Sequence, residues 1–102
     1  MDQKRLELQT IFEEILGNKN VYFQPPESLK MKYPAIRYVR SSIDSTYADD
    51  IPYRNLKQYE ITVIYKDPDS DLPDKIKQLS MCRFNRHYTA DNLNHDVFTL
   101  YY

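Results

Sequence analysis

The chain has 102 residues, enough for one domain and too few for two with separate cores. Its 14 lysines and arginines against 15 aspartates and glutamates give a formal charge of −1, without the basic excess of a general nucleic-acid binder. Aromatics at 14% argue against a disordered chain, and no apolar run is long enough to cross a bilayer.

The opening Met1-Asp2-Gln3-Lys4-Arg5 leads into a charged amphipathic segment with no apolar signal core, so a soluble protein made in the cytoplasm is expected. Residues 2–16 read as a helix, because Leu8, Ile11, Phe12 and Ile15 recur on one face while Gln9, Glu13 and Glu14 lie elsewhere. Gly17 stands where a left-handed cap ends such a helix, and Asn18 and Asn20 continue the turn. Val21-Tyr22-Phe23 suits a short strand stopped by Pro25-Pro26, and 24–34 is a connection. Tyr33 to Arg40 reads as a strand with Ile36 and Tyr38 on one side and Ala35, Arg37 and Val39 on the other. Ser41 to Tyr53 mixes serines, acids and a proline with Ile43, Tyr47 and Ile51, and a long loop or mobile arm is expected at about 41–55.

Gln58 to Tyr65 is the clearest strand, with Tyr59, Ile61, Val63 and Tyr65 alternating with polar residues. Lys66-Asp67-Pro68-Asp69-Ser70 is a turn by composition. Asp71 then suits the cap of a second helix, with Pro73 near its first position and Ile76, Leu79 and Leu72 inward. Cys82, Phe84, Arg86 and Tyr88 alternate with Arg83, Asn85 and His87 in a further strand. Thr89 to His95 supplies turn residues before a final strand over Val97 to Tyr102. The expected fold is α+β in the order α-β-β-α-β-β: an antiparallel sheet of about four strands with two helices on one face. The last strand carries bulk on both sides, Val97, Thr99 and Tyr101 opposite Phe98, Leu100 and Tyr102. Either another chain covers the second face, or Phe98 and Leu100 are core and the tyrosines stand half exposed.

Ten tyrosines, each an apolar body with a polar tip, suit half-buried sheet surfaces and interfaces. Chemistry is harder to find. The single glycine leaves no G-x-S-x-G turn and no phosphate-cradling loop, so enzymatic activity is not expected. A Ser-His-Asp set has no sequence reason to be chosen among the candidates. Asp67, Asp69, Asp71 and Asp74 open like a calcium loop, but the positions for its glycine and glutamate hold Leu72 and Gln78. Cys82, His87 and His95 are too few for structural zinc, and on a regular strand Cys82 and His87 face opposite sides. A lone cysteine also points to a reducing compartment. No cofactor or metal is expected. Lys30, Lys32, Arg37 and Arg40, with Tyr33 and Tyr38 interleaved, read as a solvated edge or, as the competing reading, a nucleic-acid groove.

Val21-Tyr22-Phe23-Gln24-Pro25-Pro26, followed by Met31-Lys32-Tyr33-Pro34-Ala35-Ile36, resembles the opening of small tail-completion proteins of long-tailed bacteriophages of the siphovirus type. The resemblance continues through Tyr47-Ala48-Asp49-Asp50, Tyr59 with Thr62 to Ile64, Asp67-Pro68-Asp69-Ser70 and Tyr88-Thr89-Ala90-Asp91-Asn92-Leu93-Asn94-His95. It covers nearly the whole chain after the first helix. It implies a single tail-terminator-like domain over 1–102 that assembles with itself into a ring, commonly a hexamer, at the head-proximal end of the tail. The ring would stop tube growth and offer the docking surface for the head. The implied partners are further copies, the tail tube protein and a head-completion or connector protein, with DNA passing through the lumen without sequence-specific binding and no membrane. The implied location is the virion tail or neck. A head–tail joining or head-completion connector protein is the alternative in this class, and a nucleic-acid-binding accessory protein the alternative outside it. Expected interface residues are Tyr47, Asp49, Asp50, Tyr53 and Arg54 in the 41–55 segment, with Arg83, Arg86, Asn94 and Tyr101 near the last hairpin.

Overall fold

Helix α1 (Gln3–Leu16) forms where the apolar spacing places it, and buries Leu8, Phe12 and Leu16, each one turn after the last. Ile15 packs at the edge of this stripe. Gly17 takes φ +80° and its N–H donates to the Glu13 carbonyl at 2.9 Å, which closes the helix with a left-handed cap. The computed structural model describes the backbone of residues 3–48 and 51–102, and the side chains of 3–41 and 57–102.

The sheet has five strands rather than four and is mixed rather than antiparallel. Val21–Phe23 (β1) runs parallel to Ala35–Ala48 (β2), pairing Val21 with Ile36 and Phe23 with Tyr38. Ile51–Tyr65 (β3), Cys82–Ala90 (β4) and Leu93–Tyr101 (β5) complete the order β1-β2-β3-β5-β4, with every pair after the first antiparallel. A three-residue strand before a proline pair is a weak sequence signal, and here its parallel partner stabilises it.

Three local expectations are corrected. The segment expected as a long loop or mobile arm at about 41–55 is strand wherever its backbone is described, β2 running on to Ala48 and β3 starting at Ile51. The last hairpin turns on Asp91-Asn92 alone, both at positive φ (54° and 61°), so Thr89 and Leu93 to His95 belong to strands. A two-residue turn of that kind matches the natural strand twist, and Asn and Asp tolerate it better than other non-glycine residues. Asp71 occupies the cap position of helix α2 (Leu72–Lys77) but makes no side-chain cap bond. The Ser70 hydroxyl accepts the Leu72 N–H at 3.3 Å instead, and Asp71 pairs with Lys75 at 3.5 Å.

Both helices share one core with the inner face of the sheet. Leu8, Phe12, Leu16, Leu72 and Ile76 join Ile36, Tyr38, Tyr59, Ile61, Val63, Tyr65, Phe98 and Leu100. Tyrosines build much of it. The Tyr38 ring lies 5.1 Å from Phe12 and 5.9 Å from Tyr59, edge to face in both cases. Its hydroxyl donates to Gln9 at 2.5 Å and accepts from Arg5 at 3.3 Å, which pins α1 to β2. On the opposite face Val97 is 1% exposed and Thr99 is also buried within this single chain. Their strand is interior, flanked by β3 and β4, so the bulk on both sides of β5 needs no second chain at these positions. Among the described residues, no helix is long and apolar enough to cross a membrane.

Candidate assembly surfaces

The β2–β3 ladder runs from Ala35 opposite Ile64 to Ala48 opposite Ile51. It outlasts its neighbours. β1 accompanies β2 only to Tyr38, and β5 accompanies β3 only from Gln58 onward. Lys57 and Tyr102 still exchange two backbone hydrogen bonds, at 3.4 and 3.0 Å. From Asp44 opposite Leu56 to the tip, among the described residues, the two strands pair only with each other. At about 3.4 Å per residue this ribbon reaches roughly 15–20 Å past the sheet. The molecule is accordingly elongated, 48 Å long by 26 and 24 Å. Tyr47, opposite Pro52, and Tyr53 and Arg54 are in this arm. Asp49 and Asp50 lie outside the described residues, as do the side chains of Tyr47, Tyr53 and Arg54.

The second surface is β4, an edge strand exposed from Arg83 to Ala90. Its register shifts between Phe84 and Arg86, an extra residue that leaves Asn85 to donate to the Thr99 hydroxyl at 2.6 Å. Arg83 stands opposite Thr99 and Arg86 opposite Val97, on the face away from the helices. Neither arginine has an ion-pair partner among the described residues. The Arg86 guanidinium lies 5.9 Å over the Tyr88 ring, which stacks on His95 at 4.6 Å. Five large hydrophobic residues are exposed among those described, and three lie along or beside this strand, on both of its faces: Met81 (51%) just before it, Phe84 (43%) opposite Phe98 on the helix side, and Tyr88 (40%) opposite His95 on the other side.

The remaining expected interface residues do not join them. Asn94 is half-buried at the start of β5 and donates to the carbonyls of Tyr65 and Lys66, tying two strand ends together. Tyr101 is half-buried and its hydroxyl accepts from Gln58 at 3.0 Å. Arg37 and Arg40 pair with Thr62 and Tyr59, whose side chains lie on opposite faces of the sheet, so they do not line one groove.

A polar cluster beneath the helices was not anticipated. Asp96 is 4% exposed, accepts from the Tyr65 hydroxyl at 2.5 Å and contacts His87 Nδ1 at 2.5 Å. Burial, and then the bond to Asp96, hold the Tyr65 phenol well above its usual range. The available signal was an aspartate in the apolar run Val97–Leu100 and its approach, paired across β4 with a histidine. The shift at Asn85 also turns Cys82 and His87 to the same face, opposite Leu100 and Asp96 respectively. They are about two cross-strand rows apart on it, roughly 13 Å, too far to share an ion. Among the described residues no group of three or more His, Cys, Asp and Glu is placed to hold a metal. Burial pushes the Cys82 thiol up to about 11, which makes it a poor nucleophile at neutral pH. A cleft of about 200 Å³ beside it, lined by Leu8, Ile11, Leu79, Ser80, Leu100 and Tyr102, contains no carboxylate, imidazole or ammonium group for acid–base chemistry.

No family model, no curated protein and no solved structure matches this chain.

Proposed function

We propose that this protein is an assembly subunit, a tail-terminator or tail-completion protein that forms a ring at the head-proximal end of a phage tail. The observation that carries this reading is the two-stranded arm from Asp44 opposite Leu56 to its tip. A hairpin with no third strand is at best marginally stable in water. Yet the arm contains Tyr47, Ile51, Tyr53 and Leu56, the composition of a segment that gains from a second surface. An extended ribbon on a small α+β body is suited to reaching a neighbouring subunit or the tail tube. The motif order along the chain directs the proposal to phage tails, since an arm alone would serve any assembly.

In this reading the head-docking surface and the tube contact lie on opposite ends of the ring, and DNA passes through its lumen. The decisive experiment removes the gene, or the arm, from a phage that carries it and images the particles. Overlong tails support a terminator. DNA-filled heads without tails would move the role to a head-completion or joining protein. Normal virions with the arm deleted would dismiss the assembly role.

A further inference from the structure

We infer that the acceptor for the arm is the open edge of β4 in a second copy of this chain, so that the sheet continues from subunit to subunit. The inference rests on the assembly reading above and names the surface that reading leaves open. An edge strand presents a row of main-chain N–H and C=O groups ready to pair with another strand. β4 offers nine residues of such an edge, Cys82–Ala90. Three of the five exposed large hydrophobics in the described residues, Met81, Phe84 and Tyr88, lie on it or directly before it.

The charges on the two sides are complementary. β4 carries Arg83 and Arg86 and no carboxylate. The arm carries Asp44, Asp49 and Asp50 against the single cation Arg54. The halves of the arm are not equivalent as pairing partners. Pro52 lacks a backbone N–H and interrupts the returning half, whereas Ser42–Ala48 contains no proline. The outgoing half is therefore the strand that adds to β4. The extra residue at Asn85 and the two arginines discourage pairing with an arbitrary strand, which favours one acidic partner over general aggregation. Arm and edge are different patches of one molecule, so the contact is heterologous, and repeated head to tail it closes into a ring.

The test uses two full-length-derived variants, each lacking one half of the joint. In the first, residues 44–56 are replaced by an Asn-Gly turn, which keeps Ile43 opposite Lys57. In the second, Arg83→Glu and Arg86→Glu reverse the edge; Phe84→Lys serves as an independent edge variant should that pair impair folding, as judged by circular dichroism. Sedimentation is expected to show oligomers for the natural protein and self-association weakened roughly tenfold or more in each variant. Mixing the arm-deleted and edge-reversed proteins restores a single joint, the intact arm of the edge variant on the intact edge of the armless copy. A 1:1 heterodimer that grows no further is the expected product, because the remaining edge is reversed and the remaining arm is missing. Edge variants that assemble like the natural protein would overturn the β4 assignment while leaving the assembly reading intact. An arm-deleted protein that still assembles would count against the arm itself. A natural protein that stays monomeric at high concentration, with edge variants altered only in binding a DNA oligonucleotide, would replace this inference with a nucleic-acid-binding edge.

Discussion

Asp96 is the most consequential polar residue of the interior. A carboxylate buried this deeply is tolerated because Tyr65 and His87 both bond to it. Asp96→Ala is expected to cost about 1–3 kcal/mol, since it strands the Tyr65 hydroxyl, whereas Tyr65→Phe costs about 1 kcal/mol because His87 still serves the carboxylate. Urea unfolding of both variants checks the order, and equal losses would contradict it. Tyr38 and Tyr65 are both held above the usual phenol range, first by burial. Each favours the folded state while neutral. That contribution is complete below the unfolded value of about 10 and is lost as pH rises through the higher folded values. In a titration followed at 295 nm, part of the tyrosine signal should therefore appear only with alkaline unfolding, and a single early transition for all tyrosines would refute this. Cys82 provides a second measure of burial. With its thiol pushed up to about 11, labelling by a thiol reagent at pH 8 should be on the order of 100-fold slower than in urea, and comparable rates would show the site to be open.

At the scale of elements, α1 and the arm stand at opposite extremes. α1 is fastened by Phe12, fully buried against Tyr38, and by the Tyr38–Gln9 hydrogen bond. Phe12→Ala should cost about 3–5 kcal/mol, through lost burial and the cavity left in an aromatic cluster. The arm beyond Lys57 pairs only with itself among the described residues, so the sheet loses no third-strand partner when it is shortened. Replacing 44–56 with Asn-Gly, which leaves Ile43 opposite Lys57, should change stability by less than about 1 kcal/mol, given a turn suited to adjacent strands. Thermal unfolding distinguishes this from an arm that is integral to the core, whose removal would lower Tm by many degrees.

For the whole molecule, 102 residues bury a limited fraction of their surface, so an association of the kind proposed would add a large share to stability. If copies join through arm and edge, association acts as a ligand for the folded state. Tm should then rise with protein concentration in the natural protein and be constant in the arm-deleted one. A concentration-independent Tm in both would argue against self-association.

Alternation along 58–65, the stripe around Leu8 and Phe12, and the single glycine at the end of α1 were sufficient to identify the α+β class and the inner face, because each depends only on near neighbours in the chain. The parallel pairing of β1 depends on which strand lies beside it, and three residues do not encode that. The 41–55 segment read as a loop or mobile arm because its serines and acids mask strands, β2 to Ala48 and β3 from Ile51, that are stabilised by pairing with each other. Of the expected interface residues, Arg83 and Arg86 do share one surface. Asn94 and Tyr101 are occupied with bonds inside the fold, which only the register of β3 against β5 decides. The same register buries Val97 and Thr99 without help from another chain and leaves Phe84 and Tyr88 on an open edge. Local spacing thus determined what each segment is, and tertiary pairing alone determined which surfaces were left over, since exposure is a property of neighbours distant in sequence.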